Sequence, residues 1–168
     1  MKHVAIGEGL ANSADLKSLD DLPDFRRATM NMKFAFLAAR EALRSLPSEI
    51  SRDDLALVVQ TRFGELRSTC DFLFGVSVEK VSRPLAFQNS LHHSTLGFLS
   101  RAFKITGPGL TVCGEGINGE EARDTASSLL DDGAKFALIV TVDVAVEAVQ
   151  GTGTPRGSSA ILLRNADV

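Results

Sequence analysis

The sequence predicts an α/β protein, a five-stranded mixed sheet with helices on its faces in the order βαβαβαββ. Two observations carry that reading. Strand-like and helix-like segments alternate and then close with two strands in succession, an order that belongs to a layered sheet. The runs "DLALVVQT" and "KFALIVTVDV" are continuously apolar and rich in β-branched residues, as strands covered on both faces are.

The elements follow in chain order. "HVAIGEG" reads as a short buried strand ending in glycines. After a polar loop closed by Pro23, "RRATMNMKFAFLAAREALRSL" brings Met30, Phe34, Leu37 and Glu41 to helical spacing and ends before Pro47. "DLALVVQT" is the second strand, and "GELRSTCDFLFGV" has the composition of a helix. An irregular stretch surrounds Pro84, and "STLGFLSRAFKI" then puts Thr95, Leu99 and Phe103 on one helical face. "GLTVCGE" is the third strand. "NGEEARDTASSLLDDG" is a helix with Ala122, Ala126 and Leu129 on one side and Gly133 at its end. "KFALIVTVDV" and "SSAILLRN" are the last two strands, joined through a polar, glycine-rich loop from Glu147 to Gly157.

The totals exclude several functions. At 168 residues the chain makes one domain, residues 1–168, able to bury roughly two-thirds of its unfolded surface. A net charge of -3 with no Trp and no Tyr offers neither a phosphate-binding field nor base-stacking rings, so nucleic acid is excluded as a partner. No apolar run approaches the ~20 residues of a membrane span. The start "MKHVAIGEGLANS" has only a short apolar run, unlike a signal peptide, so a cytoplasmic protein with reduced thiols is expected. Neither a cofactor nor a metal is implied.

The segment "LTVCGEGINGEEA" runs from a strand into a helix through a glycine turn, a geometry that can present a nucleophile at a helix N-terminus. The residue at the tip is Gly116, which has no side chain. Cys113 lies within the strand, where a thiol reads as a small buried hydrophobe, and Cys70, beside Phe72 and Leu73, reads the same way. His92 and His93 read as polar residues at a helix start or a subunit contact, and His3 as an isolated terminal residue. An alternative assigns acyl transfer to Cys113, with His92 or His93 as base and Asp143 as orienter. The glycines of "GEGLAN" and "GTGTPRG" lack the strand-to-helix context of a nucleotide site and read as turns.

The order "VVQTRFGEL", "RPLAFQNSLHHSTLGFLSRAFKITGPGLTV", "GEGINGEEA", "ALIVTVDV", "RGSSAILLRN" resembles the N-terminal half of a β-ketoacyl synthase, that is, half of a thiolase-like fold. The resemblance covers nearly the whole chain. It implies that Gly116 stands where the family's nucleophilic cysteine begins a helix, and that the half carrying the catalytic histidines is absent. It further implies a non-catalytic relative of the chain-length-factor type, similar to the truncated ketosynthase-like proteins of aryl-polyene systems. Such a protein would form a heterodimer with a full-length ketosynthase and meet an acyl carrier protein through that complex. On the same resemblance Phe63, Ala86 and Phe87 would shape an acyl tunnel. Asn89, His92, His93, Leu96, Phe98, Val112 and Cys113 would lie at the partner interface. A lone half would also leave a surface for another half-domain or subunit to cover.

Overall fold

The computed structural model describes residues 3–11, 13–19, 25–114, 119–144 and 157–166. Five strands form one mixed sheet: β1 (His3–Ala11), β2 (Leu55–Thr61), β3 (Gly109–Cys113), β4 (Phe136–Asp143) and β5 (Gly157–Asn165). Their spatial order is β1-β5-β4-β2-β3, with β4, β2 and β3 parallel and β1 and β4 both antiparallel to β5. Five α-helices accompany them: α1 (Met30–Ala42), α2 (Leu66–Phe74), α3 (Pro84–Asn89), α4 (Ser94–Phe103) and α5 (Glu120–Asp131).

The two continuous apolar runs are the two central strands. Every residue of β2 is buried, as are the first five of β4, because helices cover both faces. On one face Leu55, Leu57, Val59, Leu138 and Val140 pack under α1 and α4 with Phe34, Leu37 and Leu99. On the other, Ala56, Val58, Ala137 and Ile139 meet Ala122, Ala126 and Leu130 of α5. Small side chains on both partners let α5 sit close to the sheet. Its outward side carries Glu120, Glu121, Arg123, Asp124, Ser128 and Asp131, all exposed.

Helix α1 begins where its cap dictates. The Thr29 hydroxyl accepts from the Met32 N–H, satisfying one of the orphan donors of the first turn, and Lys33 N–H bonds the Thr29 carbonyl. At its other end a 3-10 turn over Leu43–Ser45 leads to Pro47. Helix α5 ends with Gly133 at φ +117°, a conformation a side chain would strain.

Four expectations change. The stretch around Pro84 is the short helix α3, with Pro84 in the first turn, where its fixed φ and missing N–H cost nothing. The first strand is an edge strand rather than a buried one, and it continues to Ala11, so the glycines of "GEGLAN" are strand residues and not a turn. They are there for closeness: a Cβ at Gly7 or Gly9 would collide with the carbonyl of Ala42 or Ala38 on α1. His3 is not isolated, since its Nε2 lies 3.5 Å from the Asp131 carboxylate at the end of α5. Both cysteines are exposed. Gly116 and most of the 147–157 loop lie outside the described residues. Among those described, no helix is long and apolar enough to cross a membrane.

Gly9→Ala should destabilise the chain by about 2 kcal/mol, because the new methyl meets backbone that cannot swing aside. Gly97→Ala, inside α4 where a Cβ would meet only the tip of the Arg101 side chain at 3.9 Å, should instead stabilise by roughly 0.5–1 kcal/mol. Urea midpoints of the two variants would move in opposite directions.

Candidate partner interface and the carboxyl end of the sheet

The parallel strands place three polar residues at their carboxyl ends: Thr61 on β2, Cys113 on β3 and Asp143 on β4. The chain order reverses across β2, since β3 lies on one side of it and β4 on the other. In open parallel sheets this is where a crevice for ligands forms.

Asp143 is spent on the turn after β2. Its carboxylate accepts from the Thr61 hydroxyl at 2.8 Å, the Arg62 N–H at 3.0 Å and the Phe63 N–H at 3.2 Å. The Thr61 hydroxyl in turn accepts from the Gly64 N–H. Asp143 is therefore a turn clamp and not the orienter of a histidine. Gly64 sits at φ +58°, and the His92 ring occupies the space its Cβ would need. Two separate reasons demand glycine there.

His92 also approaches Cys113, with Nδ1 and Sγ 3.7 Å apart. The pair is exposed because β3 is the outer strand of the sheet, which explains why reading Cys113 as a buried hydrophobe fails. His93 is likewise exposed and makes no side-chain cap bond to α4, although it holds the N-cap position.

Beneath the turn lies a carboxylate that the sequence reading passes over. Glu65 is buried, and its Oε1 accepts from the Thr95 hydroxyl at 2.7 Å and the Thr29 hydroxyl at 2.9 Å. Nearby, Asn31 donates to the Gly64 carbonyl at 2.6 Å. One side chain thus joins the starts of α1 and α4 to the exit of β2. Burial pushes the Glu65 pKa above its ordinary 4.5, and the two hydroxyl bonds pull against that rise. The only legible signal was a glutamate beside a glycine turn, which does not announce burial.

The other expected site residues are spread over several elements. Phe63 is half-buried, with the Arg62 guanidinium 5.0 Å from its ring centre. Ala86 and Phe87 lie on α3, where the exposed Phe87 ring rests 5.3 Å from Phe72 of α2. Asn89 donates to the Arg27 carbonyl and ties α3 back to the segment before α1. Leu96 packs on the α1-side core and Val112 on the α5-side core. The Phe98 ring stands edge-on to Phe25, within the aromatic cluster of α1 and α4.

Two surfaces here want company. Strand β3 pairs only with β2 among the described residues, so its other edge is unpaired, and Leu110 on it is 46% exposed. Helices α2 and α3, joined by a π-helical turn over Gly75–Glu79, contain no buried residue. Together with that turn they expose Leu73, Phe74, Val76, Val78, Leu85 and Phe87, with Phe74 at 55% and Val78 at 62%. A continuous apolar arm of this kind marks a contact surface.

Comparison with solved structures decides the architecture. The fold is that of the β-ketoacyl synthases. A chain of the complex between the ketosynthase ApeO and its chain length factor ApeC from Xenorhabdus doucetiae superposes with a TM-score of 0.76 at 19% identity, over 98% of this chain and 79% of that one. The ishigamide ketosynthase/chain length factor gives 0.83 at 14%, over 100% and 63%. A type II polyketide acyl-carrier protein in complex with its hexaketide-bound ketosynthase, AntDE:AntF, gives 0.79 at 11%, over 98% and 62%. The chain therefore spans less than two-thirds of the matched chains in the latter two. No family model matches the sequence, and no curated protein does. The expected mixed sheet of a thiolase-like, ketosynthase-type fold is thus present.

Because the folded pKa of Glu65 is raised, its contribution to stability is complete below about pH 4.5 and lost as pH rises through the folded value. Glu65→Gln keeps the shape and an acceptor while removing the charge. As pH goes from about 4 to about 7, the urea midpoint of the wild type should fall relative to that of Glu65→Gln. A constant difference across that range would show that the carboxyl bears no burial penalty.

Proposed function

We propose that this chain is a non-catalytic, chain-length-factor-like subunit that binds a full-length ketosynthase and helps shape the tunnel holding its growing acyl chain. The setting is a type II polyketide or fatty-acid-like system, and within that class the aryl-polyene type. The observation that carries the reading is the ketosynthase-type fold, with a β3 edge unpaired among the described residues and an exposed apolar arm on α2 and α3. Both surfaces are what a subunit contact covers, by strand pairing at the edge and by apolar burial along the arm.

In this reading residues 1–168 act as one domain in the cytoplasm, and an acyl carrier protein meets the chain through the complex. Gly116, in the nucleophile's place, supplies no thiol. Asn89, His92, His93, Leu96, Phe98, Val112 and Cys113 serve the contact, and Phe63, Ala86 and Phe87 the tunnel. Phe87 suits that task best, since it stands exposed on the arm with an aromatic neighbour holding its ring.

Co-expression with a ketosynthase from the same gene neighbourhood should give a stable heterodimer on size exclusion. Leu110→Asp and Phe87→Asp, both at exposed positions, should each weaken it at least about tenfold while leaving the chain folded. A chain that stays alone in the presence of the synthase would overturn the reading.

A second reading, a small acyl-transferring thiol enzyme built on Cys113, is favoured by the 3.7 Å approach of His92. It lacks the third group, because Asp143 is engaged by the turn. Iodoacetamide at neutral pH separates the two readings. Under the second, Cys113 should label much faster than Cys70, and His92→Ala should erase the difference; equal rates end it.

A further inference from the structure

A cleft of about 470 Å³ opens beside α1 and α4, lined by Phe25, Phe36, Phe98, Arg101 and Ala102. Its aromatic wall is ordered by its own contacts. Phe25 stands edge-on to Phe36 at 4.7 Å and to Phe98 at 5.5 Å, while Phe36 stacks flat on Phe103 at 4.9 Å. The Arg40 guanidinium lies 5.8 Å from the Phe36 ring centre. Neither Arg40 nor Arg101 has a carboxylate within ion-pair distance among the described residues.

The segments that supply the lining are rich in basic residues. Residues 25–44 and 94–104 hold Arg26, Arg27, Arg40, Arg101 and Lys104 on exposed positions. The one acid in those segments, Glu41, is taken by Arg44 at 2.9 Å. Among the described residues, then, the Arg40 and Arg101 guanidinium groups stand beside a phenyl-lined hollow without an ion-pair partner. Hollows of this size, apolar with a few convergent polar groups, are the usual form of small-molecule sites.

We propose that this cleft binds a small apolar carboxylate, its alkyl or aryl body against Phe25, Phe36 and Phe98 and its carboxylate on Arg101. The planar fork of Arg101 matches a carboxylate in two parallel hydrogen bonds, and phenyl faces and edges take up either a ring or a methylene chain. Arg40 adds positive potential at the same mouth. A cationic ligand would be repelled by the guanidinium groups, and an uncharged one would gain no ion pair with Arg101. Every lining group belongs to this chain, and Phe98 is shared with the proposed partner contact, so the cleft is tested on the chain alone.

The test titrates the full chain, alone in solution, with octanoate and separately with 3-phenylpropionate, following the phenylalanine ring signals by NMR. Saturable shifts of Phe25, Phe36 and Phe98 are expected with at least one of the two, and the stronger one states whether the body is alkyl or aryl. Octanol and octylammonium should bind at least about tenfold more weakly than octanoate, as should octanoate to Arg101→Gln, whose urea midpoint should not move. Three results would each overturn the proposal: octanol binding as well as octanoate, shifts confined to the Leu73–Phe87 arm, or full affinity retained in Arg101→Gln.

Discussion

Strand β2 is the constraint on which the rest depends. All seven of its residues are buried, and it is hydrogen-bonded along both edges, to β3 and to β4. A strand enclosed in this way has to leave the sheet through a turn whose own polar groups are satisfied, because water does not reach the strand itself. The Asp143 carboxylate meets that demand from the neighbouring strand by accepting two backbone N–H groups. The turn then forces Gly64 into the left-handed region and carries Glu65 underneath, where two hydroxyls receive it. The position of His92 over Gly64, and so its meeting with Cys113, follows from the same turn.

Legibility in the sequence tracks how many neighbours a segment has. Strands β2 and β4 were readable because burial on both faces leaves no room for polar residues, and α1, α4 and α5 because each buries one stripe against them. The edges were less readable. In β1, Gly7 and Gly9 look like turn residues, and only the approach of α1 reveals them as spacers. In β3, "LTVC" is apolar enough to pass for an interior strand, yet Leu110 and Cys113, on opposite faces, are both exposed, since the strand lies at the sheet edge among the described residues. Glu65 escaped because burial of a carboxylate depends on Thr29 and Thr95, 36 and 30 residues away, and no local pattern records such a meeting. The arm escaped for the opposite reason: Leu73, Phe74 and Val76 have helical spacing that suggests a core, and the core is elsewhere.

Polarity is distributed unequally over the outer helices. Helix α5 is compatible with water as it stands, because its outward residues are charged or hydroxylated. The apolar excess is concentrated on α2 and α3, which contribute nothing buried to their own fold. Their side chains are at most partly buried, so a surface that covered the arm would add apolar burial that the chain alone does not supply. Among the described residues the exposed apolar surface therefore lies on the arm and at Leu110 on β3, and the outward side of α5 adds none.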